Sequence, residues 1–256
     1  MKHWLFAIPM LWSVGCATTK PLAEHLRVAN VVELEKRMAK AHVAAKSYTA
    51  ELRLSYFGPE GRVRATASLA VQRPGSFRYE LQGPHGGVLH AFATNGRELQ
   101  LADLKASRFF QGPATPDNID AMFGIAKLGL GPQGWVSLLF GEVPIEKDAT
   151  LRYDETVGRF VLEWERDGQV HRVEVDPESH RATGAWVLMN GKEISQMHIQ
   201  SWDAQGLPAR IRMHVAVEET DLEVILRDVD YPEKLDPDLF ELQPQSKVVP
   251  EYIGPG

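Results

Sequence analysis

Two methionine–histidine pairs, Met197-His198 and Met213-His214, fall in segments whose alternation predicts strands. Thioether and imidazole together suit copper. Adjacent strand residues point to opposite sides, so neither pair can ligate through both of its side chains. Met197 shares a face with Ile199, and Met213 with Ile211 and Val215, which is the behaviour of core residues. Only His198 facing His214 across strands would leave a surface site, and no bound metal is expected. The nine histidines are otherwise scattered. No HExxH, GxSxG, P-loop or GxGxxG pattern occurs. A carboxylate dyad assembled from distant strands stays open, but no pairing of acidic residues is recognisable, and the chain is not expected to be an enzyme. Cys16 is the single cysteine, so no disulfide forms within the chain. It precedes the first predicted element and cannot be a buried nucleophile. Lys and Arg number 28 against 34 Asp and Glu, net −6, with no basic run. Phosphate backbones need clustered positive charge, so no nucleic-acid partner is expected. No cofactor is implied.

The cysteine takes its meaning from what precedes it. Lys2 and His3 are followed by "WLFAIPMLW", nine apolar or small residues. A spanning helix needs about 20, so the stretch reads as the apolar part of a signal peptide. Ser13, Val14, Gly15 and Cys16 resemble the lipobox of bacterial lipoproteins, with Ser13 where leucine is usual. That resemblance implies cleavage before Cys16 and acylation of its sulfur; the alternative is an ordinary signal peptide with an incidental cysteine. Two or more acyl chains anchor stably where one does not. By resemblance to the sorting pattern of such lipoproteins, Ala17 after the cysteine implies the outer membrane, with the chain facing the periplasm. The expected organisation is a signal peptide over residues 1–15, a lipidated tether over 16–29, and one domain over 30–256.

The domain opens with a helix. Asn30 and Glu33 form a capping box, and Val31, Leu34, Met38, Ala41 and Ala45 share one face, predicting a helix that ends near Ser47. The period then changes from 3.6 to 2. Tyr48, Ala50, Leu52, Leu54 and Tyr56 alternate with polar residues, then Val63 to Val71, then Phe77, Tyr79 and Leu81. Short turns at 58–61, 73–75 and 95–96 join such segments, the signature of an antiparallel meander. The middle breaks the pattern. "IDAMFGIAKLGL", capped by Asp117 or Asn118, and "PQGWVSLLFG" predict two short apolar helices, with Pro132 suited to the first turn of the second. Alternation resumes from Thr150, and "DPDLFEL" predicts one turn that offers Leu239 and Phe240 to the core. The expected fold class is α+β: a curved antiparallel sheet of about 11 strands, a half-open barrel wrapped around the N-terminal helix and the short helical insert. Its inner face is expected to carry Ala50, Ala65, Ala67, Ala91 and Ala93 beside Leu, Phe and Tyr, and small residues on a concave face leave room for a ligand.

The order of these pieces resembles the LolA/LolB-like periplasmic lipoprotein carriers, LolB more closely. The carrying segments are "RPGSFRYELQGPHGG", with Leu81, Pro84 and Gly86 at the hairpin; "NGRELQLAD"; the insert with Trp135, Gly141 and Pro144; and "TLRYDETVGRFVLEWERDG". The resemblance spans about residues 31 to 245 and implies an apolar cavity for the acyl chains of lipoproteins. The lining is expected from Leu52, Leu54, Leu69, Val71, Phe77, Tyr79, Leu81, Leu89, Ala91, Met122, Trp135 and Leu139. A membrane-facing loop is expected from Pro84, His85, Gly86 and Val88. LolB has leucine where His85 stands, and histidine enters hydrocarbon less readily, being protonatable. The implied partners are acyl chains of lipoproteins or a related lipid, the inner leaflet of the outer membrane, and a soluble LolA-like carrier. The alternatives are a non-transporting sensor or structural lipoprotein with a filled interior, and a carrier of another amphiphile such as a glycolipid. An acyl chain of about 16 carbons leaving water gains on the order of 12 kcal/mol. A carrier must nearly match the bilayer without exceeding it, which a wide, imperfectly packed cavity achieves by forgoing dispersion contacts.

Overall fold

The computed structural model describes residues 19–59, 61–83, 86–123, 129–216 and 219–254. Helix α1 spans Val31–Ala41, with the Asn30 side chain accepting from the Glu33 amide at 3.0 Å. The Glu33 carboxylate reaches back to the Ala29 amide at 2.8 Å, which completes the cap. The helix stops short of Ser47. His42 leaves helical geometry, and Ala45, expected on the stripe of α1, packs with Val43 in a different core.

The alternating segments form β1 (Ser47–Gly58), β2 (Gly61–Gln72), β3 (Ser76–Gln82), β4 (Val88–Thr94), β5 (Glu98–Asp103) and β6 (Arg108–Pro113). Helices α2 (Pro116–Phe123) and α3 (Pro132–Leu139) follow. Thr115, not Asp117 or Asn118, supplies the cap of α2, its hydroxyl accepting from the Asn118 amide at 3.3 Å. The chain continues through β7 (Thr150–Asp154), β8 (Arg159–Arg166), β9 (Gln169–Val175), β10 (Ala182–Met189), β11 (Lys192–Trp202), β12 (Pro208–Val215) and β13 (Thr220–Asp230). A 3-10 turn at Pro237–Phe240 buries Phe240, while Leu239 is only half-buried. The described strands number fourteen, not about eleven. The last, β14 (Glu251–Tyr252), pairs in parallel with β6 and is too short to show alternation.

All fourteen form one sheet, in the order β14-β6-β5-β4-β3-β2-β1-β13-β12-β11-β10-β9-β8-β7. Every pair but β14–β6 is antiparallel, and the sheet is open, since β14 and β7 are its edges. The meander therefore has two ends. The turns at 73–75, 95–97, 155–158, 176–181 and 203–207 lie at one, and those at 104–107, 167–168 and 190–191 at the other.

Helices plug the first end. Tyr48, Val71, Phe77, Phe92 and Leu99 pack with Ile119 of α2 and with Trp135, Val136 and Phe140 of α3 and its C-cap. The Tyr48 hydroxyl donates to the Leu139 carbonyl at 3.0 Å, and its ring meets Phe140 edge-on at 5.1 Å. A second core buries Leu34 and Met38 of α1 against Phe160, Leu162, Val173, Val175 and Ile199. A third lies on the convex face, where Ala91, Ala93, Ala102 and Phe109 are covered by Leu242 and Val248 of the C-terminal segment.

Candidate lipid-binding face

Strand register places a continuous apolar surface on the concave side, beyond the helical plug. One row crosses the sheet as Val63, Tyr56, Leu222, Met213, Met197, Ala185, Val173 and Leu162, each opposite the next. The adjacent row runs Ala65, Leu54, Val224, Ile211 and Ile199. A third runs Leu81, Ala67, Leu52 and Leu226. No charged side chain interrupts these rows. Val173, Leu162, Ile199 and Ala67 are buried and Val63 is exposed, but most of the aliphatic residues between them are only half-buried. Sheet packing normally covers such rows with another layer; here α1, α2 and α3 cover the plugged end, and the rows continue past them as a trough.

The residues expected to line a cavity divide by position. Leu52, Leu54 and Leu81 are half-buried on the trough floor. Tyr79, Met122 and Leu139 stand at its border with the plug, and Tyr79 stacks on Phe92 at 6.0 Å. Burial pushes the Tyr79 hydroxyl up to about 12, so it stays neutral. Leu69, Val71, Phe77 and Trp135 are buried in the plug itself, at 5, 0, 0 and 7 % exposure, and line no opening. Ala91 and Ala93 face the other side of the sheet. In "VLHAFAT" it is Phe92 that points inward. That strand is covered on both faces, so its alternation does not tell one face from the other.

Within the expected membrane-facing loop, Pro84 and His85 lie outside the described residues, as does Cys16. Gly86 adopts φ +81°, and its amide donates to the Gly83 carbonyl at 3.0 Å. Val88 is not at a tip; it packs with the convex cluster, and Leu89 is the exposed residue beside the turn. The C-terminal half of the trough, from Met197 to Leu226, was not among the expected lining, although "PARIRMHV" and "TDLEVIL" carry the same period-2 signal as β1.

The histidine pairs resolve simply. Met197 and Met213 face each other on the trough floor, whereas His198 lies opposite Arg212 and His214 opposite Gln196. His198 contacts the Gln196 side-chain oxygen at 3.0 Å and Trp186 edge-on, and His214 sits 3.4 Å from Asp221. The cross-strand site thus fails by an offset of one pair. Among the described residues no group of three His, Cys, Asp or Glu could hold a metal ion.

At the plugged end a polar cluster joins α1 to α3. Arg73 donates both terminal nitrogens to Glu142, at 2.6 and 3.0 Å, and lies 4.0 Å above the Phe140 ring. Burial alone would raise the Glu142 carboxyl, but Arg73 and His42 outweigh it and hold it below the ordinary range. Burial pushes His42, 3.8 Å from Glu142, below the usual histidine value, with the nearby Arg73 and Arg181 adding to the shift. The cluster ties the turn at 73–75 to the C-terminal ends of α1 and α3 and reads as a structural clasp.

A cavity of about 630 Å³ opens elsewhere, between the N-terminal residues Pro21–Val31 and β7. Leu22, Val28 and Phe160 meet Arg27, Arg152 and Glu155 around it, so its wall is half polar and less suited to a run of methylenes than the trough.

This open antiparallel sheet with its short helices is similar in fold to several solved structures. A LolA superfamily protein from Nitrosomonas europaea superposes with TM-score 0.57 at 12 % identity, over 84 % of this chain and 99 % of that one. A DUF1329 family protein from Desulfovibrio piger gives 0.60 at 10 %, over 81 % and 94 %. A domain assigned as an outer membrane lipoprotein-sorting protein from Vibrio parahaemolyticus gives 0.60 at 11 %, over 82 % and 95 %. At these identities the likeness is one of fold. No family profile matches the sequence, and no curated protein is significantly similar to it. Among the described residues no helix is long and apolar enough to cross a membrane.

Proposed function

We propose that the chain is an envelope lipoprotein that binds acyl chains in the trough and hands them on, with Cys16 as its own lipid anchor in the outer membrane. The observation that carries this reading is the set of uncharged, half-buried rows from Val63 to Met197 and from Ala65 to Ile211. A surface of this kind loses little when empty and gains when methylenes cover it, at about 0.8 kcal/mol each. Its openness keeps the gain below full burial, as transfer requires. The neighbours of LolA and lipoprotein-sorting type support the same reading by fold, and no catalytic role is assigned.

One observation favours a second reading. The interior beneath α2 and α3 is filled by the protein's own rings, as in a lipoprotein that senses or scaffolds without carrying. Native mass spectrometry of the chain from Thr19 onward separates the two. Co-purified lipid, or uptake of an offered lipopeptide, supports carriage and names the cargo class; a clean apo mass with no uptake selects the second reading. Cys16→Ala should move the protein from the membrane to the soluble periplasmic fraction, and persistence in the membrane would remove the anchor.

A further inference from the structure

The cavity beside β7 carries charges that the fold does not use. Its volume of about 630 Å³ is that of a small-molecule site. No residue of the three trough rows lines it, so it is a separate opening. Leu22 and Val28 on one wall, with Leu151 and Phe160 on the other, give it an apolar interior, because all four pack in the second core. Arg27 and Glu155 line it as well, and both are exposed. Neither side chain makes a hydrogen bond or an ion pair among the described residues. Arg152 also faces the cavity but is already neutralised: it donates to Asp154 at 2.6 Å and lies 3.7 Å from Glu163. An apolar interior with one free cation and one free anion among its lining calls for a ligand that is zwitterionic at one end and apolar at the other.

One wall of the cavity is the segment that leads back to Cys16. The Lys20 amide donates to the Glu155 carbonyl at 2.8 Å, and the Tyr153 hydroxyl donates to the Lys20 carbonyl at 2.8 Å. The Lys20 side chain lies over Gly158, and Pro21, next in the chain, is the first residue of the wall. Four positions separate Lys20 from Cys16, a reach of about 14 Å when fully extended. With Cys16 as the anchor, the cavity therefore lies beside the surface of the bilayer that holds the chain.

We propose that this cavity binds a phospholipid whose headgroup carries both a phosphate and a primary ammonium, drawn from the host leaflet. The phosphate meets Arg27, the ammonium donates to the Glu155 carboxylate, and the glycerol and first methylenes lie against Leu22, Val28, Leu151 and Phe160. A half-polar wall, poor for a long run of methylenes, suits this junction of headgroup and chain. Phosphatidylglycerol brings no cation and leaves Glu155 beside an added negative charge; a choline headgroup offers Glu155 no N–H donor. Lipid held there ties residues 21–31 to β7 and fixes the domain on its tether. The inference takes the source of the lipid from the anchor reading and needs nothing from the trough.

The test reconstitutes the full chain, expressed with its own N-terminal segment, in vesicles of equal parts phosphatidylethanolamine, phosphatidylglycerol and phosphatidylcholine. Lipid retained after mild detergent extraction is identified by native mass spectrometry. The expected result is retained phosphatidylethanolamine in excess over the other two. Arg27→Gln and Glu155→Gln should each cut that excess about fivefold, the upper range for an exposed ion pair. Both side chains are exposed, so the fold should be unaffected, and Glu155→Lys should turn the preference to phosphatidylglycerol. Met213→Asp, on the trough floor, should leave the preference unchanged. No retained lipid, or equal retention of all three, would overturn the proposal. Loss of phosphatidylethanolamine in Met213→Asp but not in Arg27→Gln would put the lipid in the trough, which overturns this site and leaves carriage intact. Displacement of the lipid by an equimolar amount of glycerophosphoethanolamine would make a free zwitterion the ligand and overturn the lipid. The anchor is tested separately, by the fractionation of Cys16→Ala, so the two readings can fail independently.

Discussion

Met213→Asp tests the trough most directly. Met213 lies between Met197 and Leu222 in the longest apolar row and is half-buried. Strands are about 4.8 Å apart, so an acyl chain lying along the row passes roughly four methylenes over each strand. At about 0.8 kcal/mol per methylene, a hydrated carboxylate that holds the chain off this strand removes about 3 kcal/mol of binding, or roughly 100-fold to 200-fold in affinity. The fold loses less. Full burial of a methionine side chain is worth about 2 kcal/mol, and a half-buried one about half of that. The control is Thr66→Asp, which adds the same charge on the convex face, opposite Arg53. Displacement of a fluorescent fatty-acyl probe measures affinity, and thermal melting followed by circular dichroism reports the fold. Binding should weaken by about two orders of magnitude in Met213→Asp and by less than threefold in Thr66→Asp. A folded Met213→Asp protein that binds within threefold of the parent would refute the assignment of the trough as the acyl site.

Stability should fall as pH drops from about 7 toward 5. Burial holds His42, His171 and His180 below their ordinary value in the folded protein, so the unfolded chain takes up protons first and the loss begins near pH 6.5; melting temperature should decline over that interval, less steeply in His42→Gln. Gly112→Ala should release the C-terminal strand, since a Cβ there would collide with the Ile253 carbonyl. Hydrogen exchange should then lose protection at the Ile253 amide, which donates to Gln111 at 2.9 Å, without loss at β3.

Much of the secondary structure was legible because its causes are local. Period-2 alternation along β1, β2 and β3, the Asn190-Gly191 hairpin and the Asn30–Glu33 cap each depend on residues a few positions apart. The site was legible only in part, because burial depends on what covers a face. Leu54 and Phe77 look alike in sequence, both apolar and in phase, yet Phe77 is fully buried against Trp135 and Phe92 while Leu54 is only half-buried. The stop of α1 at Ala41 was likewise set by Val43 and Ala45 being drawn into a different core from Leu34.

The amino-acid order alone specified a long antiparallel meander, interrupted once by helices and greasy on alternate positions, since alternation and turn chemistry act over two to four residues. Contacts between distant segments decided the rest. Residues 242–248 cover Ala91 and Ala93, α3 closes one end over Tyr48, and Lys20 is pinned beside Glu155. Which apolar rows stay open, and which end they open toward, follows from those long-range closures, whose partners lie from about 90 to over 150 positions apart in the chain.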